Sequence, residues 1–271
     1  MTPVHGRLPS ALASLDEPVR YAGVDRREFR LAGARGPVGG TLVTPLGASP
    51  GMPALIIGHD LASDHRTERY VDLACEYARR DGFAVAIVDG PFHGDRQPAA
   101  LAEMAPGPER FARMRAELSK PGQSDAMSSD WQLLLDALIE LPEVAATRIG
   151  FEAVSMSALL GVTFVADDPR VQGVVFHVIG VRTGDRSTAA GPELGGDPFA
   201  AKVARIGNRP VQLLACANDE LFSRASSELF VETLTGQDKE LIVLPGVHFD
   251  PPVKPLAGRE YAAAFLRRHL I

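Results

Sequence analysis

Short apolar runs alternate with segments of helical periodicity from Pro53 to the end of the chain. Most of these runs have the pattern of strands that are buried on both faces. The predicted strands are residues 54–58, 84–89, 148–153, 171–178, 211–217 and 240–244. Strands that alternate with helices predict right-handed crossovers and a mostly parallel sheet, so the predicted fold class is α/β.

Helical periodicity fills most of the gaps between these strands. Apolar residues recur at helical spacing within residues 70–78 and 131–141, and the chain ends in a predicted helix over residues 256–270. Residues 27–31 and 38–44 predict an antiparallel hairpin at the edge of the sheet. The helices are expected to cover the sheet.

Two segments interrupt the alternation of strands and helices. They are residues 90–129, which contain a helical pattern over 108–118, and the glycine-rich residues 179–198. Either segment could overhang a site. Neither is long enough for an independent lid domain, so we expect a small cap and a fairly open pocket.

The composition is that of a globular protein with a sizeable core. Of the 271 residues, 45% are hydrophobic and 23% are charged, and no linker or charge block divides the chain. We predict one domain over residues 1–271, with residues 1–20 as an N-terminal extension. The net charge of -6, with scattered Lys and Arg residues, argues against nucleic acid as a partner.

The chain gives no sign of a membrane segment or of an oxidising compartment. Residues 1–15 lack the regions of a signal peptide, and no apolar stretch approaches membrane-spanning length. The two cysteines, Cys75 and Cys216, have no motif spacing and no histidine at metal-ligand spacing. We therefore expect a cytoplasmic protein with no membrane partner, whose cysteines are small core residues.

A serine lies between a predicted strand and a helix-forming segment, within Ala153-Val154-Ser155-Met156-Ser157. A sharp strand-to-helix turn of this kind lifts a serine hydroxyl above a sheet, and in serine hydrolases it reads Gly-x-Ser-x-Gly. Ala153 and Ser157 replace the two glycines, and both are small. Ser155 is therefore the candidate nucleophile, with a helix N-cap as its alternative role.

Candidate partners for Ser155 follow two later strands. In a parallel α/β sheet, functional side chains gather outside the carboxyl ends of the strands. Asp219 follows the fifth strand given above, and His248 follows the sixth. A serine hydroxyl needs a base, and the base needs an acid to orient it, so His248 and Asp219 are the candidates. Asp219 could instead cap the next helix, and Asp185 is the alternative acid.

The order Ser, Asp, His along the chain is the order that α/β-hydrolases use. The chain resembles this superfamily, most closely its dienelactone hydrolase and prolyl-oligopeptidase-like esterase branches, over residues 53–270. The motifs that carry the resemblance are Ile56-Ile57-Gly58-His59-Asp60, Gly90-Pro91-Phe92-His93-Gly94 and the stretches around the three triad candidates. The resemblance implies a mostly parallel eight-stranded sheet flanked by helices, with a small cap or none.

The resemblance also implies the groups that stabilise a tetrahedral oxyanion. It places two backbone N–H donors at Met156 and Leu61. This chain has Asp60 where the family pattern usually has glycine, so a carboxylate stands beside the second donor. Because an inward carboxylate would oppose the oxyanion, we expect Asp60 to face solvent or to pair with Arg66 or Arg69.

Further residues near the predicted rim are candidates for the substrate pocket. They are His59, Phe92, His93, Val181, Phe222 and Phe249. The apolar ones suggest an acyl or alcohol pocket, although Phe222 and Phe249 could equally be core residues. His59 and His93 lack the supporting residues of a metal site, so we expect loop-shaping hydrogen bonds there, no metal and no cofactor.

These residues together predict a serine hydrolase that cleaves a carboxylic ester through an acyl-enzyme. The same triad could act on a thioester, a lactone, an amide or a carbon–carbon bond, because fold and triad do not fix the leaving group. A non-catalytic protein that binds a small apolar ligand is the alternative from another class. The expected partner is a small ester-like molecule, and the sequence leaves the oligomeric state open.

Overall fold

Ten strands of the described residues form the sheet at the centre of the fold. The structure is a computed structural model, and it describes residues 11–47, 50–181, 197–248 and 255–271. The strands are β1 (Leu12–Leu15), β2 (Val19–Tyr21), β3 (Val24–Leu31), β4 (Val38–Pro45), β5 (Met52–Gly58), β6 (Ala84–Val88), β7 (Val144–Val154), β8 (Val171–His177), β9 (Val211–Cys216) and β10 (Lys239–Leu244). Their order across the sheet is β1-β3-β4-β6-β5-β7-β8-β9-β10, and β2 pairs with β3.

The eight strands that the sequence predicts are all present, and β1 and β2 are additional. Both extra strands pair antiparallel with β3, although residues 1–20 are predicted to be an extension. They are only 4 and 3 residues long, too short for an alternating pattern to identify them in the sequence, and β2 is exposed throughout. From β6 to β10 all neighbouring strands run parallel, whereas β3 and β4 form the predicted antiparallel hairpin.

Helices pack on the sheet between the strands. The helices of the described residues are α1 (Glu68–Glu76, continued by a π-helical turn, Tyr77–Asp81), α2 (Ala99–Ala102), α3 (Pro108–Leu118), α4 (Gln123–Ile139), α5 (Met156–Asp167), α6 (Asp197–Ala204), α7 (Arg224–Thr233) and α8 (Pro255–Leu270). The predicted helices over 108–118 and at the end of the chain are thus confirmed. No helix of the described residues is long and apolar enough to cross a membrane.

Both faces of the sheet are buried. Neighbouring residues of a strand point to opposite faces, and Ile56 and Ile57 of β5 are each fully buried, in two different core clusters. On one face Trp131 of α4 contacts Phe151 of β7, with ring centroids 5.0 Å apart. On the other face Phe265 of α8 is in the same cluster as Ile57. The sheet therefore lies between two helical layers, as the sequence pattern predicts.

Backbone strain is concentrated at the carboxyl ends of the parallel strands. Among the described residues, four non-glycine residues have a positive φ: Ala22, Phe92, Ser155 and Val178. The last three follow β6, β7 and β8. Such conformations cost free energy for residues with a Cβ and are typical of functional sites. This edge of the sheet is therefore the place to look for chemistry.

A buried carboxylate–imidazole pair joins the neighbouring strands β7 and β8 near this edge. Glu152 of β7 and His177 of β8 are fully buried, and Oε1 of Glu152 lies 2.9 Å from Nε2 of His177. The backbone N–H of Ser155 donates to the carbonyl of His177 over 3.0 Å. Burial raises the pKa of the nearby Tyr77 well above its usual value, and the Glu152 carboxylate raises it further. The turn at Ser155 is therefore attached to a polar pair in the core.

We expect Glu152→Leu to lower the free energy of unfolding by about 3–5 kcal/mol, because it leaves His177 buried without its partner. The double variant Glu152→Leu/His177→Leu should lose less than the sum of the two single variants, since two packed apolar side chains need no hydrogen bond. Urea unfolding of the wild type, both single variants and the double variant measures this coupling. Additive losses would show that the two side chains do not interact.

Candidate active site

Ser155 occupies a sharp turn between β7 and α5. Its φ is 49° and its ψ is -105°, a backbone conformation that residues other than glycine rarely adopt. Ala153 and Ser157 lie against β5: a Cβ added to Gly58 would stand 2.5 Å from the Cβ of Ser157 and 3.0 Å from that of Ala153. This close approach explains why the residues two before and two after Ser155 must be small, and why Gly58 must be glycine.

The structure brings the three triad candidates together. Oγ of Ser155 lies 2.8 Å from Nε2 of His248, and Nδ1 of His248 lies 2.9 Å from Oδ2 of Asp219. Because a carboxylate only accepts, the Asp219 contact places the imidazole proton on Nδ1. Nε2 is then free to accept the hydroxyl proton of Ser155. The side chains of Asp219 and His248 are only 1% and 5% exposed, so this pair is shielded from solvent.

Asp219 is held by the turn that follows β9. Its Oδ1 accepts the backbone N–H groups of Leu221 and Phe222, at 2.8 and 2.7 Å. The N-cap of α7 is Ser223, whose hydroxyl accepts the N–H of Ser226. Asp219 therefore does not cap that helix, and its second carboxylate oxygen is available to His248. The alternative acid, Asp185, lies outside the described residues.

His248 is held from two further sides. Its backbone N–H donates to Oε2 of Glu220 over 2.6 Å. The ring of Phe222 packs beside the imidazole, with centroids 5.8 Å apart. Sequence reasoning missed Glu220, although it adjoins Asp219, because nothing in the sequence shows that it reaches the loop after β10.

Two buried backbone N–H groups in the segments that follow β5 and β7 have no acceptor within the described part of the chain. They belong to Met156, the first residue of α5, and to Leu61, in the loop after β5. Both residues are buried, at 6% and 8% exposure. Buried N–H groups are nearly always bonded, so free ones at this edge fit the two donors that the sequence predicts.

Asp60 is turned away from these donors. Its Oδ1 accepts the backbone N–H of Ala62 and the hydroxyl of Ser63, at 2.9 and 2.8 Å. Its Oδ2 accepts from Arg69 and from the Tyr70 hydroxyl. The expected pairing of Asp60 with a nearby arginine is therefore confirmed for Arg69. Arg66, the other arginine considered, instead pairs with Glu28 and Asp95.

The predicted pocket residues have different environments. His59 is fully buried, Val181 is 3% exposed, and Phe222 packs on His248. Phe92 is half-buried and contacts the core cluster that contains Phe151. Phe249 lies outside the described residues. His59 therefore connects two loops and does not line an open pocket, because both of its ring nitrogens are hydrogen-bonded to backbone groups.

A cavity of about 500 Å³ opens beside the loop after β5. Leu61 and His93 border it on one side, and Arg110, Phe111 and Met114 of α3 border it on the other. Part of the segment 90–129 therefore lines this cavity together with the loop after β5, whereas no triad residue is among its lining residues. Within the described residues, no group of three or more His, Cys, Asp or Glu side chains could hold a metal ion.

His93 is a buried imidazole between two carbonyl oxygens. Its Nδ1 lies 2.7 Å from the Pro91 oxygen, and its Nε2 lies 2.8 Å from the Leu61 oxygen. Burial and the neighbouring His59 lower the pKa of His93 from 6.5 to about 4 and outweigh the two carbonyls, which raise it. His93 is therefore neutral in the folded protein at pH 7, and its single N–H donates to only one of the two carbonyl oxygens.

We expect His93 to make the folded protein less stable in acid. Between its folded pKa of about 4 and its ordinary value of 6.5, only the unfolded chain binds the proton. The low pKa of His93 therefore leaves the free energy of unfolding unchanged above pH 6.5. As the pH falls from 6.5 towards 4, that free energy decreases by about 3 kcal/mol. Urea unfolding of wild type and His93→Gln between pH 7 and pH 4 tests this. Equal acid losses in the two proteins would contradict it.

Several solved structures share this fold. A cold-adapted esterase from an Arctic intertidal metagenomic library matches with a TM-score of 0.76 and 24% identity, over 95% of this chain and 100% of that chain. Dienelactone hydrolase from Anabaena variabilis matches with a TM-score of 0.66 and 18% identity, over 92% of this chain and 100% of that chain. Acetyl xylan esterase 1 from Thermoanaerobacterium matches with a TM-score of 0.66 and 17% identity, over 94% of this chain and 87% of that chain.

Sequence comparisons gave no match, either to a protein-family model or to a curated protein. At identities below 25%, the structural matches establish the fold alone. The chain has the α/β-hydrolase fold, and it resembles structures of the esterase and dienelactone hydrolase branch.

Proposed function

We propose that this protein is a serine-dependent hydrolase that cleaves a small carboxylic ester. The observation that carries the proposal is the contact of 2.8 Å between Oγ of Ser155 and Nε2 of His248, with Asp219 on the far side of the ring. A serine hydroxyl is a poor nucleophile at neutral pH unless an adjacent base accepts its proton. The arrangement supplies that base and fixes its tautomer.

The proposed reaction has two halves. Ser155 attacks the acyl carbon while His248 takes its proton, and the imidazolium then gives that proton to the departing alcohol. Water, deprotonated by His248, attacks the resulting acyl-enzyme and releases the carboxylic acid and free Ser155. Asp219 orients the imidazole and stabilises its positive charge in both halves. No cofactor enters either half.

The proposed oxyanion hole is formed by the backbone N–H groups of Met156 and Leu61. Donors that are already in place when charge develops are worth more than donors that must reorganise, because the site is shielded from water. Neither N–H group has an acceptor among the described residues, which supports this assignment. The pairing of Asp60 with Arg69 supports it too, since the carboxylate charge is drawn away from the oxyanion.

The structural neighbours agree with ester hydrolysis, since two of the three given above are named as esterases. We propose that the cavity lined by Leu61 takes the acyl or the alcohol part of the substrate, because Leu61 carries one of the two proposed oxyanion donors. Phe222 packs on the His248 ring. The cytoplasmic location and the lack of a nucleic-acid partner remain predictions from composition.

We expect Ser155→Ala to lower ester hydrolysis by roughly 10⁵–10⁶-fold while the protein stays folded. Wild type exposed to a fluorophosphonate should gain the mass of one adduct, and Ser155→Ala should gain none. The assay for turnover is a short-chain p-nitrophenyl ester. The matched control is Ser129→Ala, because Ser129 is exposed on α4 and bonds only the Asp125 carbonyl. Folded wild type without an adduct would favour a binding protein.

We expect Asp219→Asn to lower kcat by roughly 10⁴-fold, because an amide can hold the imidazole in the wrong tautomer. Asp185→Asn should leave kcat unchanged if Asp219 is the acid. Glu220→Gln should have a small effect, since an amide oxygen still accepts the N–H of His248. A large loss in Asp185→Asn, with little change in Asp219→Asn, would transfer the role to Asp185.

A further inference from the structure

His59 connects the loops that follow β5 and β6. Its Nε2 lies 2.9 Å from the backbone nitrogen of Gly90, which is a donor, so Nε2 must be the unprotonated atom. Its Nδ1 therefore carries the proton and donates it to the carbonyl of Asp60 over 2.8 Å. The ring is fully buried, so both bonds are shielded from water. The partners leave a single tautomer for His59.

The Asp60 carbonyl belongs to the same peptide group as the N–H of Leu61. In a planar trans peptide, the C=O and the N–H point in opposite directions. The bond from His59 to the Asp60 oxygen therefore fixes the direction of the Leu61 N–H, which has no acceptor among the described residues. If this peptide flipped, a carbonyl oxygen would replace the donor and would repel an oxyanion.

The carbonyl oxygen of the next peptide group contacts a second imidazole, which can donate to it when its proton is on Nε2. Nε2 of His93 lies 2.8 Å from the carbonyl oxygen of Leu61. The rings of His93 and His59 are neighbours, with centroids 5.0 Å apart. Both carbonyls that flank the Leu61 backbone are thus in contact with buried imidazoles, one from its own loop and one from the loop after β6.

We propose that His59, and His93 with its proton on Nε2, are positioning residues that hold the Leu61 N–H in the orientation needed to bind the oxyanion. This inference rests on the proposed esterase function. The two histidines act through the backbone and not on the substrate itself. Their contribution is preorganisation, because a donor fixed before the reaction costs no rearrangement when charge develops. The proposal therefore concerns turnover more than substrate binding.

The experiment compares His59→Asn with His59→Leu. An asparagine amide nitrogen can stand near the place of Nδ1 and donate to the Asp60 carbonyl, whereas leucine cannot. We expect kcat per fluorophosphonate-titrated site to fall about 10–100-fold in His59→Leu and less than tenfold in His59→Asn, with KM changed less than threefold. Affinity for an alkyl boronic acid, which forms a tetrahedral adduct with serine, should fall in proportion to kcat/KM.

Counting sites by titration separates positioning from folding. A purely structural role would reduce the number of titrated sites and leave kcat per site and boronic-acid affinity unchanged, and that result would overturn the proposal while the esterase function stands. A wild type that does not react with fluorophosphonate at all would instead overturn the function. His269→Ala, remote from both loops on α8, is the matched histidine control and should resemble wild type.

His93→Ala provides a second, independent variant. Because His93 borders the cavity of about 500 Å³, imidazole added to the solution can reach the vacated space. We expect kcat per titrated site to fall about tenfold or more and to recover when imidazole is added. A loss of kcat that imidazole does not restore, or no loss at all, would remove His93 from the proposal.

Discussion

The positive φ of Ser155 is the constraint on which the rest of the site depends. It turns the chain from β7 into α5 within one residue, so the hydroxyl stands above the sheet and the N–H of Met156 stays free of helical bonds. Such a backbone persists only where its surroundings hold it. Here the His177 carbonyl binds the Ser155 N–H, and the small side chains of Ala153 and Ser157 fit against Gly58.

The parallel sheet converts this local turn into a site. Because β5 to β10 all end at one edge, the loops that carry Leu61, His93, Ser155, Asp219 and His248 meet there although they are far apart in the chain. The functional groups are then held by hydrogen bonds from their own loop or from a neighbouring loop, as Asp219 and His248 are.

Three carboxylates in and near the site have polar or charged partners. Asp60 is paired with Arg69, Asp219 receives two backbone N–H groups and the His248 ring, and Glu152 is paired with His177. An unpaired buried carboxylate beside an oxyanion would cost several kcal/mol in desolvation and repulsion. Aspartate in place of the usual glycine at position 60 is compatible with the site because Arg69, on α1, forms an ion pair with its carboxylate.

The sequence by itself determined the eight main strands, most of the helices and the three triad candidates, because apolar periodicity and strand-end positions are local signals. It did not reveal β1 and β2, which are too short for a periodic pattern, or the cap on α7, which is Ser223 and not Asp219. Only the tertiary structure assigned the Asp60 partner and the roles of His59 and Glu220. These depend on which loops meet at the sheet edge, and contacts between distant segments leave no periodic pattern in the sequence.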